Sequence, residues 1–144
     1  ESPRRGFEFV TRKISLGVAK IKLGLIKNIE LGNLDAKRDW GHSKDYVRAM
    51  WLMLQSNSPD DYVVGTGKTN SVKEFAKLAF EILDLNYEKY IKINKNLFRP
   101  SEVTLLKSNS SKIRKKLNWK NETNFESLVS EMVTEDYNNI KKTL

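Results

Sequence analysis

Gly32-Asn33-Leu34-Asp35-Ala36-Lys37-Arg38-Asp39-Trp40-Gly41-His42 is the stretch on which the reading of this chain turns. It lies between a short apolar run, Asn28-Ile29-Glu30-Leu31, which reads as a strand, and an amphipathic segment that opens at Ser43. The helix–strand–helix rhythm around it argues for a mixed α/β chain. The loop brings a lysine, an arginine and backbone amides next to a helix start, where a phosphate can be held. A second arginine stands far downstream, in Phe98-Arg99-Pro100-Ser101-Glu102. Two arginine forks on separate loops, one followed three residues later by a carboxylate, can grip a diphosphate and a ribose.

Working outward, Val10, Ile14, Gly17, Val18 and Ile21 form one apolar stripe and predict a helix over 9–23, stopped by Gly24. Ser43 reads as the N-cap of the next helix. Asp45 suits the positive end of its dipole, and Val47, Met50, Trp51 and Leu54 read as its buried stripe. Tyr62-Val63-Val64 reads as a central strand and Gly65-Thr66-Gly67 as the turn after it. Ser71-Val72-Lys73-Glu74 is a capping box, opening a helix with Val72, Phe75, Leu78, Ala79, Ile82 and Leu83 inward. Tyr90–Ile93 alternates as an edge strand, and Val103–Leu106 reads as a short extended piece. A basic helix is expected from Ser110 or Ser111 to Leu117, with Trp119 packing back from the turn. A last helix is expected from about Asn124, with Phe125, Leu128, Val129, Met132, Val133 and Tyr137 on its stripe.

At 144 residues the chain fits one domain or one large piece of a bigger one. Charge bounds its partners: a net +8 attracts anions, whether nucleic acid, anionic lipid or phosphorylated small molecules. The lysines are spread along the chain, and the dense runs Lys112-Ile113-Arg114-Lys115-Lys116 and Lys141-Lys142 read as solvated helix faces. No nucleic-acid recognition motif accompanies them, so nucleic acid is not an expected partner. With no cysteine, disulfides, thiolate metal sites and cysteine nucleophiles are excluded, and a cytoplasmic home is expected. No apolar run approaches the roughly 20 residues of a membrane span, so no membrane partner is expected.

Each candidate has a bland alternative. Arg38-Asp39-Trp40 reads as a phosphate-binding arginine with Asp39 orienting the loop or bonding a backbone amide; the alternative is a surface ion pair beside a packed tryptophan. Glu102 can accept both hydroxyls of a ribose, or belong to a solvated loop. Arg4-Arg5 can hold a cofactor or substrate phosphate, with Lys13 reaching the same anion from the helix side; the alternative is a frayed terminus. His42, the single histidine, reads as structural, since a lone imidazole makes a poor metal site and a poor proton shuttle. Asp60-Asp61 and Glu135-Asp136 read as solvated carboxylates. No catalytic set and no metal site is read in the chain. Gly65-Thr66-Gly67-Lys68 lacks the spacing of a phosphate-binding P-loop.

Glu1-Ser2-Pro3-Arg4-Arg5-Gly6, Phe9–Ile14, Gly32–His42, Asp45-Tyr46-Val47, Ala49–Gln55, Pro59–Val64, Phe98–Val103 and Leu117–Lys120 together resemble the GDP-mannose 4,6-dehydratase family, in order and over nearly the whole chain. The Arg-Asp-aromatic loop before a helix is similar, more broadly, to the extended short-chain dehydrogenase/reductases. The resemblance implies an α/β fold, the C-terminal part of an extended Rossmann-type fold, with helices and short strands. Residues 1–144 would be the nucleotide-sugar-binding portion, with an N-terminal NADP-binding Rossmann domain lying upstream. It implies conversion of GDP-mannose to GDP-4-keto-6-deoxymannose, in GDP-fucose and deoxyhexose biosynthesis. NADP takes a hydride from C4, water leaves across C5 and C6, and the hydride returns to C6.

The glycine-rich dinucleotide fingerprint, the tyrosine–lysine pair and the Thr/Ser-x-Glu of the family have no counterpart in these residues. The chain alone is therefore expected to be inactive. By the same resemblance Arg38 and Arg99 hold the diphosphate, Glu102 the ribose, and Val10, Lys13 and Asn33 line the guanosine-diphosphate pocket. Arg5 reaches the NADP phosphate. A homo-oligomer is expected. Another nucleotide-sugar dehydratase or epimerase of the same class, or a non-catalytic nucleotide-sugar binding module, are the alternatives.

Overall fold

Three helices carry the apolar stripes that make the main core of this computed structural model, which describes residues 1–99, 101 and 103–144. They are α1 (Val10–Lys22), α3 (Val72–Ile82) and α5 (Phe125–Thr143). Ile14 and Val18 of α1, Phe75, Ala79 and Phe80 of α3, and Leu128, Val129, Met132 and Val133 of α5 are buried together, as the 3.6-residue period requires. Tyr137 is only half-buried at the far end of the α5 stripe. Gly24, at φ +73°, ends the turn after α1 in the left-handed region that favours glycine. Gly17 has no Cβ because one would stand 2.6 Å from Ile29 Cγ2, so α1 lies directly on the first strand.

The strands are short. β1 (Ile29–Leu31) pairs in parallel with β4 (Ile91–Ile93). β2 (Lys37–Arg38) is the centre of a second sheet, antiparallel to β3 (Asn70–Ser71) and parallel to β5 (Leu105–Leu106). The capping box at the start of α3 is present in full: Ser71 Oγ accepts the Glu74 N–H at 3.1 Å, and Glu74 Oε2 accepts the Ser71 N–H at 2.6 Å. Asn124 caps α5 through the Ser127 N–H at 2.8 Å. A second, smaller core gathers Ala49, Ile113 and Trp119 between α2 (Ser43–Leu54) and α4 (Ser111–Leu117).

Helix α2 departs from expectation in two respects. Its N-cap is His42, whose Nδ1 accepts the Lys44 N–H at 3.0 Å, and not Ser43. Its expected buried stripe faces outward: Val47, Met50, Trp51 and Leu54 are between 57% and 83% exposed. The inward face is set instead by Asp45 and Ala49. Ala49 is small enough for Trp119 to approach. Asp45 accepts the Trp119 indole N–H on its carbonyl at 2.8 Å and the amides of Glu122 and Thr123 on its carboxylate at 3.1 and 3.0 Å.

Tyr62-Val63-Val64 is not a strand here, and among the described residues these three make no backbone hydrogen bond. Asp136 is not solvated: it is 1% exposed, 2.8 Å from Arg12 Nη2, and accepts the Ser15 hydroxyl at 2.6 Å. The basic run of α4 is only partly a solvated face. Lys112 and Lys116 clamp Asp60 at 2.6 and 2.9 Å, which holds the Asp60 carboxyl well below its ordinary range. Arg114 donates to the carbonyl of Thr66 and to Asn121.

Candidate functional site

The short strands and the N-terminal end of α1 frame one cavity of about 780 Å³. Arg5 enters from the lead-in to α1, Val10 and Lys13 from its first turn, Asn33 from the β1–β2 loop, and Arg38 from β2. Arg99 comes from the loop after the 3₁₀ turn Lys95–Leu97. All six of these sequence-predicted residues line the same space. Glu102 and Pro100 lie outside the described residues.

Electrostatically the cavity suits an anion. Among the described residues it is lined by the cations Arg5, Lys13, Arg38, Arg99 and Lys107, against the carboxylates of Glu1, Glu8 and Asp39. Helix α1 opens onto it with no side-chain cap at Phe9 and no acidic residue in its first turn, and Glu1 reaches that end of the helix, its carboxylate accepting the Thr11 hydroxyl at 2.6 Å. Arg38 is oriented by its own backbone surroundings: Nη1 donates to the carbonyls of Lys37 at 2.8 Å and Val103 at 2.7 Å. Arg5 is no frayed end. Its guanidinium carbon lies 3.4 Å from the centre of the Phe9 ring and its Nε 3.4 Å from Glu1 Oε2. Asn33 Oδ1 accepts the Asp35 N–H at 2.9 Å, a local turn that shapes the loop.

Asp39 bonds backbone amides, as one of its two readings held. It accepts from the Thr66 N–H at 2.9 Å, the Thr66 hydroxyl at 2.5 Å, the Gly67 N–H at 2.8 Å, the Ser108 N–H at 3.2 Å and the Ser108 hydroxyl at 2.5 Å. Burial pushes the Asp39 carboxyl up, yet the Ser108 and Thr66 side chains, with the Gly67 and Thr66 amides, together hold it below its ordinary value. Trp40, on the cavity wall, meets Phe75 edge-on at 5.4 Å between ring centres and stacks on Phe125 at 6.3 Å.

His42 is structural: it is buried, caps α2 through Nδ1, and sets Nε2 at 2.9 Å from Glu131 Oε2. Tyr46 is pushed up to about 12, by burial first and then by the charges of Asp39, Glu1 and Asp45. Both causes disfavour the phenolate. Among the described residues no group of three or more acidic or histidine side chains is placed to hold a metal ion, and no helix is long and apolar enough to cross a membrane.

Lys107 and Ser108 are wall residues that the sequence reading missed. Ser108 bonds Asp39 from 69 positions away, and no local pattern marks such a pair. Lys107 sits in an ordinary polar segment with no spacing to single it out.

Comparison with known proteins places these features. The chain is 52% identical over 136 residues to GDP-mannose 4,6 dehydratase 1 of Arabidopsis thaliana, covering 94% of this chain and 38% of that protein. It thus spans well under half the length of that relative. Among solved structures, RMD from Pseudomonas aeruginosa complexed with NADPH superposes with a TM-score of 0.87 at 19% identity, covering 96% of this chain and 46% of that one. UDP-glucose 4-epimerase from Thermotoga maritima with UDP-glucose superposes at 0.74 and 22% identity, covering 99% and 42%. The α/β fold is therefore that of a C-terminal part of the extended short-chain dehydrogenase/reductase architecture. The family model described as GDP-mannose 4,6 dehydratase matches residues 1–132, and with that match the chain belongs to the GDP-mannose 4,6-dehydratase family.

Proposed function

We propose that residues 1–144 are the nucleotide-sugar-binding portion of an NADP-dependent GDP-mannose 4,6-dehydratase, which converts GDP-mannose to GDP-4-keto-6-deoxymannose and water. The observation that carries the reading is the convergence of Arg38 and Arg99, 61 positions apart in sequence, on one cavity with Lys13, Asn33 and Val10. In this reading the two guanidiniums neutralise and orient the diphosphate, and Asn33, Val10 and Lys13 line the guanosine side. Glu102 takes the ribose hydroxyls. Fixing the diphosphate fixes the hexose relative to whatever groups perform the chemistry.

NADP supplies reversible hydride storage when bound. What this chain offers it is Arg5, a partly exposed guanidinium at the cavity edge that fits one phosphate and no more. The remaining cofactor contacts and the proton-moving groups belong, in this reading, to an N-terminal Rossmann half.

Calorimetry with GDP and GDP-mannose tests the site. Weak 1:1 binding is expected, and Arg38→Ala or Arg99→Ala should each cost about 1.5–3 kcal/mol, the range for a hydrogen bond to a charged group. A folded sample that takes up neither ligand counts against the site. Binding that ignores the guanine base and collapses steeply with added salt points to nucleic acid instead.

The domain arrangement makes a separate prediction. The outward stripe Val47, Met50, Trp51 and Leu54, beside the unpaired run Tyr62-Val63-Val64, is what a chain presents where a sheet-bearing partner packs. Of the three tryptophans, Trp119 is buried and Trp40 packed, so exposed emission belongs to Trp51. Mixing the chain with the N-terminal portion of the Arabidopsis thaliana relative should shift that emission to the blue. An unmoved spectrum, with the two pieces shown to be folded, speaks against this face as the docking surface.

A further inference from the structure

Asp39 gathers three separate stretches of chain onto one carboxylate. Oδ1 takes the Thr66 amide and hydroxyl, and Oδ2 takes the Gly67 amide and both the amide and hydroxyl of Ser108. The Gly65–Gly67 turn is braced from behind by Arg114, which donates to the carbonyls of Gly65 and Thr66. Ser108 and Lys107 form cavity wall, yet they sit between β5 and α4 and belong to neither. The nearest regular pairing is the two-residue match of β5 with β2, at Lys37–Leu105 and Arg38–Leu106, and it stops one residue short of Lys107.

We propose that Asp39 is a positioning residue of the anion cavity: its carboxylate fixes the Lys107–Ser108 wall against the end of β2 and so sets the spacing of Lys107 and Arg38 on the cavity wall. This deepens the reading of the cavity as a nucleoside diphosphate site and rests on it. Asp39 would otherwise be a poor neighbour for a phosphate, since it places a negative charge on the wall of an anion site. Its two oxygens are taken up instead by five donors of the protein.

That tension makes the proposal testable on the 144-residue chain. Asp39→Asn keeps size and one acceptor oxygen, but places an amide NH₂ where two N–H groups and a hydroxyl now point. By Coulomb's law alone, removing a negative charge from the cavity wall should tighten GDP. If Asp39 positions the wall, affinity should instead weaken by about tenfold or more in calorimetry, the loss of one good charge-assisted hydrogen bond or more. Ser108→Ala, which keeps the Ser108 amide bond, should fall between the two.

Amide hydrogen exchange gives a ligand-free readout. The amides of Thr66, Gly67 and Ser108 should exchange faster in Asp39→Asn while those inside α1, α3 and α5 keep their protection. Should Asp39→Asn fail to fold, Ser108→Ala and Thr66→Val each remove one donor and carry the same measurements. Affinity unchanged or tightened overturns the proposal, as does unchanged exchange at the three amides. Wild-type protein that takes no GDP overturns the reading of the cavity, and the clasp itself then stands or falls on exchange alone.

Discussion

Asp136→Ala should destabilise the chain by about 3–5 kcal/mol, the usual cost of breaking a buried ion pair by removing one member. The damage comes from what remains. Arg12 is 9% exposed, and its ion-pair partner at 2.8 Å is Asp136. Its other contacts are a 3.4 Å hydrogen bond to the Arg5 carbonyl and the Phe7 ring, neither of which replaces a carboxylate. Ser15 loses its acceptor at the same time. The double variant Arg12→Met, Asp136→Leu should recover most of the loss, because no charge is then left unpaired between α1 and α5. Urea unfolding followed by circular dichroism measures both. A single variant within about 1 kcal/mol of wild type would mean that the pair behaves as a surface salt bridge.

The pair also carries a signed pH effect. Burial pushes the Asp136 carboxyl up, against the pull of the Ser15 hydrogen bond and the Arg12 charge. A raised folded pKa means that the folded state binds more protons than the unfolded state near that pKa. Asp136 therefore favours the fold below its unfolded value, and that contribution is lost as pH rises through the folded one. Asp39 has the opposite sign, with its pKa depressed: its contribution is present above the unfolded value and lost as pH falls through the folded one. Glu74, held down by the Ser71 amide and hydroxyl, behaves likewise. In wild type the Asp136 effect offsets part of the acid loss. The Arg12→Met, Asp136→Leu variant should lose stability more steeply than wild type on acidification through the carboxylate range.

These carboxylates show what a sequence reveals and what it withholds. Glu74 is legible because its partner is three residues away and the capping box is a local pattern. The stripes of α1, α3 and α5 are legible because their partners are one another, and period alone fixes the face. Asp136 reads as one more acid on a polar helix face; only the packing of α5 on α1 brings it to Arg12, 124 positions back. Asp39 suggested an amide-bonding role, but its partners at Thr66, Gly67 and Ser108 lie 27, 28 and 69 positions away. Arg5, Val10, Lys13 and Asn33 were legible as neighbours through the family resemblance, and Arg38 and Arg99 also through the chemistry of the guanidinium fork. Its wall at Lys107 and Ser108 was not, because loop positions follow from tertiary hydrogen bonds and leave no periodic trace.

Phe75→Ala should cost about 3–5 kcal/mol, the range for deleting a fully buried aromatic ring, while Trp51→Ala should cost little in this chain. Period and hydrophobicity alone rank the two alike. Phe75 is fully buried and stands at 5.4 Å from Trp40 and 5.9 Å from Phe125, edge-on to both. Trp51 is 57% exposed on the outward stripe of α2. The cavity decides how far the Phe75 effect reaches. Trp40 lines it, and one side of that indole rests on the ring that the substitution deletes. A Trp40 that loses this contact still stacks on Phe125 but holds the end of β2, which carries Arg38, less firmly. Phe75→Leu keeps most of the volume and the fold, so it should retain stability better than alanine and still weaken GDP binding. If Phe75→Leu binds GDP as wild type does, the aromatic cluster serves the core alone. If Trp51→Ala unfolds the chain, the outward stripe of α2 is packed in solution and the boundary of the core has to be redrawn around it.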